Sequence, residues 1–151
     1  MYSINLNCEH NCQSVLSDWL HAALSEHCVD KHCTSHLDLL LAEVVNNVLE
    51  HGSDSVCDTF INVSTWIHDD KIILVIRDNG RQTPDQSVYK NATLPNATDL
   101  PENGWGLGLI NLLADDINLS RNQNINTIQI TKLRNQTVSG PSTCQSTYQA
   151  F

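Results

Sequence analysis

Two β-rich runs, Phe60-Ile-Asn-Val-Ser-Thr-Trp-Ile67 and Lys71-Ile-Ile-Leu-Val-Ile-Arg77, are separated only by the polar segment His68-Asp-Asp70. β-Branched and aromatic residues fit a pleated, half-buried surface, and a short polar connection between two such runs is typical of a hairpin. This stretch predicts two neighbouring antiparallel strands, at residues 60–67 and 71–77.

The tripeptide Asp78-Asn79-Gly80 directly follows the second strand. Asn-Gly is a common hairpin turn, and taken alone the tripeptide favours that interpretation. No partner strand follows within a few residues, however. The alternative is a binding position in which the Asp78 carboxylate accepts a hydrogen bond from an exocyclic amine, while Gly80 lets a ring approach the backbone.

Residues 81–103 contain three prolines and few apolar side chains, which is typical of a functional loop and predicts a lid. The glycine repeat Gly104-Trp-Gly-Leu-Gly108 then opens an apolar helix that continues to Leu113. Such a helix start leaves backbone N–H groups and the positive end of the helix dipole available to phosphate, although a lone glycine repeat is a weak signal. Strands are predicted near residues 117–119 and 125–133.

Upstream of the hairpin, residues 36–50 have the periodicity of an amphipathic helix, which we expect Gly52 to end. Glu43 and Asn47 lie one turn apart on its polar side. A carboxylate and an amide oxygen in this arrangement can address one ligand, the amide coordinating a hard cation and the carboxylate orienting a hydroxyl group or a water. A solvated polar face is the ordinary alternative.

The N-terminal part of the chain has weaker patterns. It predicts a short strand at residues 4–8, a helix over residues 15–24 that Asn11 or Ser14 caps, and a loop at residues 27–35. Cysteines and histidines are dense between residues 8 and 36, but they form no repeated Cys-x-x-Cys pair, so a metal site is left open. We expect the cysteines to be reduced, because a chain of this size does not need a disulfide framework.

The composition restricts the partners. The chain has 151 residues, of which 40% are hydrophobic, and this predicts one domain with a real core. Eight Lys and Arg residues against 17 Asp and Glu residues give a formal charge of −9, which disfavours nucleic acid and anionic membrane surfaces. The sequence has no apparent signal segment and no run of about 20 apolar residues, so we expect a cytoplasmic protein.

Three segments together resemble the N, G1 and G2 boxes of the GHKL ATPase superfamily: LAEVVNNVLEHG (41–52), LVIRDNG (74–80) and GWGLGLINLLADDI (104–117). The sequences and separations are most similar to those of bacterial anti-sigma factors that are serine protein kinases. The resemblance covers roughly residues 4–133. It implies a Bergerat-type ATP-binding fold, a two-layer α/β sandwich (α+β) with a mixed, mainly antiparallel sheet covered on one face by helices.

The same resemblance implies a site for ATP and Mg²⁺. Asn47 would ligate Mg²⁺, Glu43 would be the general base, Asp78 would bind the adenine amine, and Gly80 would lie beside the ring. The remaining positions that it assigns to nucleotide binding are His51, Gly104, Gly106, Leu107 and Gly108. It also implies a histidine kinase-like ATPase domain at residues 1–134, and the polar residues 135–151 are expected to be a poorly ordered tail.

The function implied is that of a switch protein. It would sequester a sigma factor or another target and phosphorylate a Ser or Thr of a STAS-domain anti-anti-sigma protein, and a homodimer is compatible with this role. Two departures from the family pattern, Gln82 in place of a glycine and Trp105 inside the glycine repeat, leave a second hypothesis open. It is a nucleotide-dependent protein-binding module that does not transfer phosphate.

Overall fold

The computed structural model describes residues 1–7, 11–51, 60–81, 87, 91–94 and 106–134, with the backbone alone at His51. Within these ranges the elements are β1 (Tyr2–Asn7), α1 (Cys12–Ser25), α2 (Lys31–His51), β2 (Phe60–Ile67), β3 (Lys71–Asp78), α3 (Gly106–Leu113), β4 (Asp116–Asn122) and β5 (Ile125–Leu133). The expected tail at 135–151, Gly52 and most of the expected lid lie outside the described residues.

The five strands form one sheet in the order β1-β2-β3-β5-β4. The predicted hairpin of β2 and β3 is confirmed, with Ile67 opposite Ile72 and Ile61 opposite Asp78. All four strand pairings in the described part are antiparallel, so the mixed sheet that the resemblance implied is, in these residues, wholly antiparallel. The α+β architecture is otherwise the expected one.

The core lies between the helices and one face of the sheet. Alternate residues of the central strands point into it, among them Val63, Leu74 and Ile130, because side chains alternate between faces along a strand. The same cluster contains apolar residues of all three described helices, including Leu20, Leu40 and Ile110. Half-buried residues of the opposite phase, such as Trp66 and Gln129, lie outside this cluster. The helices therefore cover one face of the sheet.

Helix α2 begins earlier than the sequence predicted. Residues 31–35 were expected to be loop, but they form the first turns of the helix. The Asp30 carboxylate accepts a hydrogen bond from the backbone N–H of Cys33 at 2.9 Å, which satisfies one of the donors that a helix start leaves open. The local cap thus overrides a stretch whose polar, irregular composition had indicated a loop.

The N-terminal elements also differ in detail. Strand β1 spans residues 2–7 rather than 4–8, and α1 begins right after Asn11, which precedes the helix without a side-chain capping bond.

Cys12 and Cys33 are free and buried, whereas Cys28 is disulfide-bonded, contrary to the expectation that the cysteines are reduced. Among the helices in the described ranges, none is both long and apolar enough to cross a membrane.

Candidate functional site

Asp78 is the last residue of β3, on the side of the strand that faces the helices. The side chain is only 1% exposed. Its Oδ1 accepts two hydrogen bonds of 2.8 Å, one from the backbone N–H of Gly80 and one from the side-chain amide of Asn126. Its Oδ2 is buried and has no hydrogen-bond partner among the described residues. An unsatisfied buried acceptor of this kind is costly, and a bound water, ion or ligand that donates to it would remove the cost.

The hairpin-turn interpretation of Asp78-Asn79-Gly80 is wrong. Strand β3 pairs with β2 and β5, and β5 arrives only after α3 and β4. The Asn79 side chain instead accepts a hydrogen bond of 2.8 Å from the backbone N–H of Phe60, which joins the tripeptide to the start of β2. The tripeptide therefore leaves the sheet at the edge of the core, where the Asp78 side chain can face a ligand.

Burial raises the pKa of Asp78 above its usual value. The hydrogen bonds from Asn126 and Gly80, together with the nearby positive charge of Arg121, act in the opposite direction and lower that pKa. The three favourable groups thus partly offset the cost of keeping a carboxylate in a buried position. An ionised carboxylate is an acceptor only, which suits a ligand that donates.

Asn126 and Arg121 were missed by the sequence analysis. Asn126 stands opposite Asp78 in the register of β3 and β5, and it is 1% exposed. Arg121 stands opposite Asn126 in the register of β4 and β5 and donates to both the Asn126 amide oxygen and the Gly80 carbonyl. A signal existed, since Asn126 is a polar residue in phase with the buried Ile128 and Ile130.

Glu43 and Asn47 meet the start of α3. A β-carbon built on Gly106 would lie 2.8 Å from Glu43 Oε2 and 3.7 Å from Asn47 Oδ1. Both side chains are half-buried, and Asn47 Nδ2 is buried with no hydrogen-bond partner among the described residues. The alternative of an ordinary solvated face is therefore wrong for these two residues, because they converge on another element of the fold.

Gly108 also lies very close to another segment of the chain. A β-carbon there would lie 2.8 Å from the Thr93 carbonyl oxygen and 3.0 Å from the Leu94 nitrogen. The side-chain amide of Asn111 donates a 3.0 Å hydrogen bond to the Ala92 carbonyl. The described piece of the expected lid, residues 92–94, is thus seated on the first turns of α3.

Other predicted site residues are placed only in part. Leu107 is half-buried and packs against the core, and Gly80 contributes its backbone N–H to Asp78. Gly104, Gln82 and Trp105 lie outside the described residues, and so does the side chain of His51. In the described part of the chain, no group of three or more His, Cys, Asp and Glu side chains could hold a metal ion by itself.

These residues fit a magnesium nucleotide. Asp78 offers an unsatisfied buried acceptor, and α3 begins at a glycine beside Glu43 and Asn47. A magnesium ion bound to phosphates keeps several waters and takes only one or two protein oxygens, so the absence of a larger ligand group does not conflict with it. The role of each residue remains a prediction.

The chain is similar to several known proteins. The anti-sigma F factor of Bacillus velezensis is 24% identical over 99 residues, covering 65% of this chain and 68% of that protein. The serine-protein kinase RsbW of Bacillus mycoides is 25% identical over 121 residues, covering 76% of this chain and 74% of its own. A crystal structure of RsbU and RsbW domains from Mycobacterium tuberculosis has the same fold, with a TM-score of 0.59 and 16% identity, over 89% of this chain and 33% of that one.

Residues 9–132 match the family described as the histidine kinase-like ATPase domain. The match takes in the three helices and the four strands from β2 to β5, except for the last residue of β5, and so contains every candidate site residue. The chain belongs to the histidine kinase-like ATPase domain family.

Proposed function

We propose that this chain is an ATP-binding switch protein of the anti-sigma type, which sequesters a sigma factor or another target and phosphorylates a Ser or Thr of a STAS-domain antagonist. One observation carries the proposal. Glu43 and Asn47 converge on Gly106 at the start of a helix, so that a carboxylate able to accept a proton, an amide oxygen able to hold Mg²⁺ and a helix start able to bind phosphate would lie together.

The residues would divide the work as follows. Bound Mg-ATP would supply the γ-phosphoryl group, and the new oxygen–phosphorus bond would form as the bond to the leaving diphosphate breaks. Asn47 would hold the magnesium ion by its amide oxygen, while the backbone N–H groups of Gly106 and Gly108 would face the phosphates. Glu43 would orient the attacking hydroxyl group and accept its proton. Asp78 would accept a hydrogen bond from the adenine amine.

The names of the relatives support the partner class. One is called an anti-sigma F factor and another a serine-protein kinase, and this chain covers more than two thirds of each. At about 25% identity the individual partners do not carry over, so the partner is proposed only by class. The retained Glu43 favours a kinase over a module that binds nucleotide and protein without transfer.

The test is a phosphorylation assay. The chain would be incubated with Mg²⁺, γ-labelled ATP and a STAS-domain protein encoded by a neighbouring gene, with a Ser/Thr-to-Ala version of that protein as the control. We expect label on the wild-type STAS protein only, and none without Mg²⁺. Tight binding of ATP and of the STAS protein without any label would support the binding-only alternative. No binding of ATP in calorimetry would refute both functions.

A further inference from the structure

Asn126 uses its whole side-chain amide within the site. Its Nδ2 donates to Asp78 Oδ1 at 2.8 Å and to the Arg81 carbonyl at 2.7 Å, and its Oδ1 accepts from Arg121. A neutral amide has two donors and one acceptor oxygen, so these contacts involve both of its ends. No nucleotide-binding role was assigned to this residue by the sequence motifs.

Arg121 fixes which way the amide points. A guanidinium group can only donate, so Asn126 must present its oxygen to Arg121 and its nitrogen to Asp78. The reverse orientation would place the Asn126 oxygen against a carboxylate. Arg121 also donates to the Gly80 carbonyl at 3.0 Å, which ties the same guanidinium to the turn that carries Asp78.

These contacts leave the two carboxylate oxygens of Asp78 in different states. Oδ1 is occupied by the Gly80 N–H and the Asn126 amide, while Oδ2 is buried and has no partner among the described residues. A nucleotide base bound beside Asp78 would therefore find a single unsatisfied acceptor, Oδ2. An adenine ring offers it an exocyclic N–H, whereas a guanine ring placed in the same way offers a carbonyl, which leaves two acceptors facing each other.

We propose that Asn126, oriented by Arg121, is a positioning residue that sets the base specificity of this site: by occupying Oδ1 of Asp78 it leaves the ligand a single acceptor, Oδ2, and so selects adenine nucleotides over guanine nucleotides. This inference rests on the proposed nucleotide binding and deepens it. The electrostatics support this inference, because the Asn126 hydrogen bond and the Arg121 charge both lower the pKa of Asp78 and so favour its ionised form, which is the acceptor.

The experiment compares Asn126→Ala and Arg121→Gln with the wild type. ATP and GTP affinities would be measured by calorimetry, and the pH midpoint of the Asp78 carboxyl would be followed by ¹³C NMR in the nucleotide-free protein. Thr127→Ala is the matched control, since Thr127 is the next residue of β5 and points to the opposite face. Circular dichroism would establish that each variant is folded.

We expect Asn126→Ala to lower ATP affinity and the ratio of ATP to GTP affinity by about tenfold each, the value of one lost hydrogen bond to a charged group. Arg121→Gln should also lower ATP affinity and the ratio of ATP to GTP affinity. Both variants should raise the pH midpoint of the Asp78 carboxyl. Thr127→Ala should change none of these quantities. If Asn126→Ala does not fold, Arg121→Gln decides by the same criteria, because its side chain lies at the exposed edge of the sheet.

An unchanged ATP-to-GTP ratio, or an unchanged Asp78 midpoint, in the folded variants would overturn the inference while leaving the proposed function intact. A wild-type protein that binds no ATP would instead refute the proposed function, and this inference with it. The two failures are therefore distinguishable from the wild-type titration alone.

Discussion

Glu43 Oε2 lies 2.8 Å from the point at which a β-carbon on Gly106 would stand, so the carboxylate occupies the space that any other residue at position 106 would need. These two residues belong to different helices, and each was singled out from a separate sequence motif. Their proximity places the candidate base beside the start of α3, and it leaves no room for a larger residue at position 106 unless Glu43 moves.

The first prediction concerns the two glycines of α3. Gly106→Ala should leave the protein folded, because the obstacle is the flexible end of the Glu43 side chain, which can move aside. Displacement of Glu43 should slow phosphoryl transfer by a factor on the order of 10². Gly108→Ala meets the backbone of Thr93 and should instead destabilise the fold by about 1–3 kcal/mol.

Urea unfolding and single-turnover kinetics separate these effects. A Gly106→Ala protein that transfers phosphate at the wild-type rate would show that the position of Glu43 is not critical. If Gly108→Ala is as stable as the wild type, the backbone at residues 93 and 94 can move aside at little cost in free energy.

Asn47→Ala should abolish Mg²⁺-dependent ATP binding or weaken it severely, since the ion would lose its proposed protein oxygen ligand. Asn46→Ala is the matched control, because Asn46 lies on the same helix but contacts Gln13 of α1. Calorimetry with and without Mg²⁺ measures the difference. Unchanged Mg²⁺-dependent affinity in folded Asn47→Ala would remove Asn47 from the site.

Glu43→Gln should retain ATP binding and protein-partner binding while phosphoryl transfer falls by a factor on the order of 10² to 10⁴, because a general base acts mainly in the transition state. The substitution keeps the volume of the side chain beside Gly106 and removes its negative charge and its basicity. Labelled-ATP assays check the rate, and calorimetry checks the affinity. Transfer at full rate would mean that positioning and Mg²⁺ carry the reaction.

Asp78→Asn should weaken ATP binding and reduce discrimination against GTP, because an amide that faces the base can both donate and accept. Calorimetry with the two nucleotides measures both effects. A wild-type protein that binds ATP and GTP equally would contradict this assignment.

The same substitution has a predicted pH dependence. Burial raises the pKa of Asp78 in the folded state, so the folded protein holds a proton that the unfolded chain releases above about pH 3.9. The stability of the wild type relative to Asp78→Asn should therefore fall as the pH rises from that value through the folded-state pKa, and then level off. Urea unfolding of both proteins without nucleotide, over a series of pH values, checks this. A relative stability that rises with pH in this window would contradict the raised pKa.

Local pattern predicted much of the architecture. The β2–β3 hairpin, strand β5 and the helix that carries Glu43 and Asn47 lie where alternation and helical periodicity placed them, because these elements bury faces whose spacing is visible along the chain. The predicted start of α2 was wrong, because the helix begins at Lys31, where the Asp30 carboxylate caps its first turn. A capping contact of this kind is difficult to predict from the sequence when the surrounding stretch is polar throughout.

The sequence by itself determined the family, the strand that leads into Asp78 and the polar pair of α2, because each depends on motifs or periodicity within short stretches of the chain. Only the tertiary structure decided that Glu43 lies beside Gly106, and that Asn126, 48 residues beyond Asp78, donates a hydrogen bond to one of its two carboxylate oxygens. The reason is physical: which hydrogen bonds a buried polar group makes depends on strand register and helix packing, and these are set by burial of the whole core.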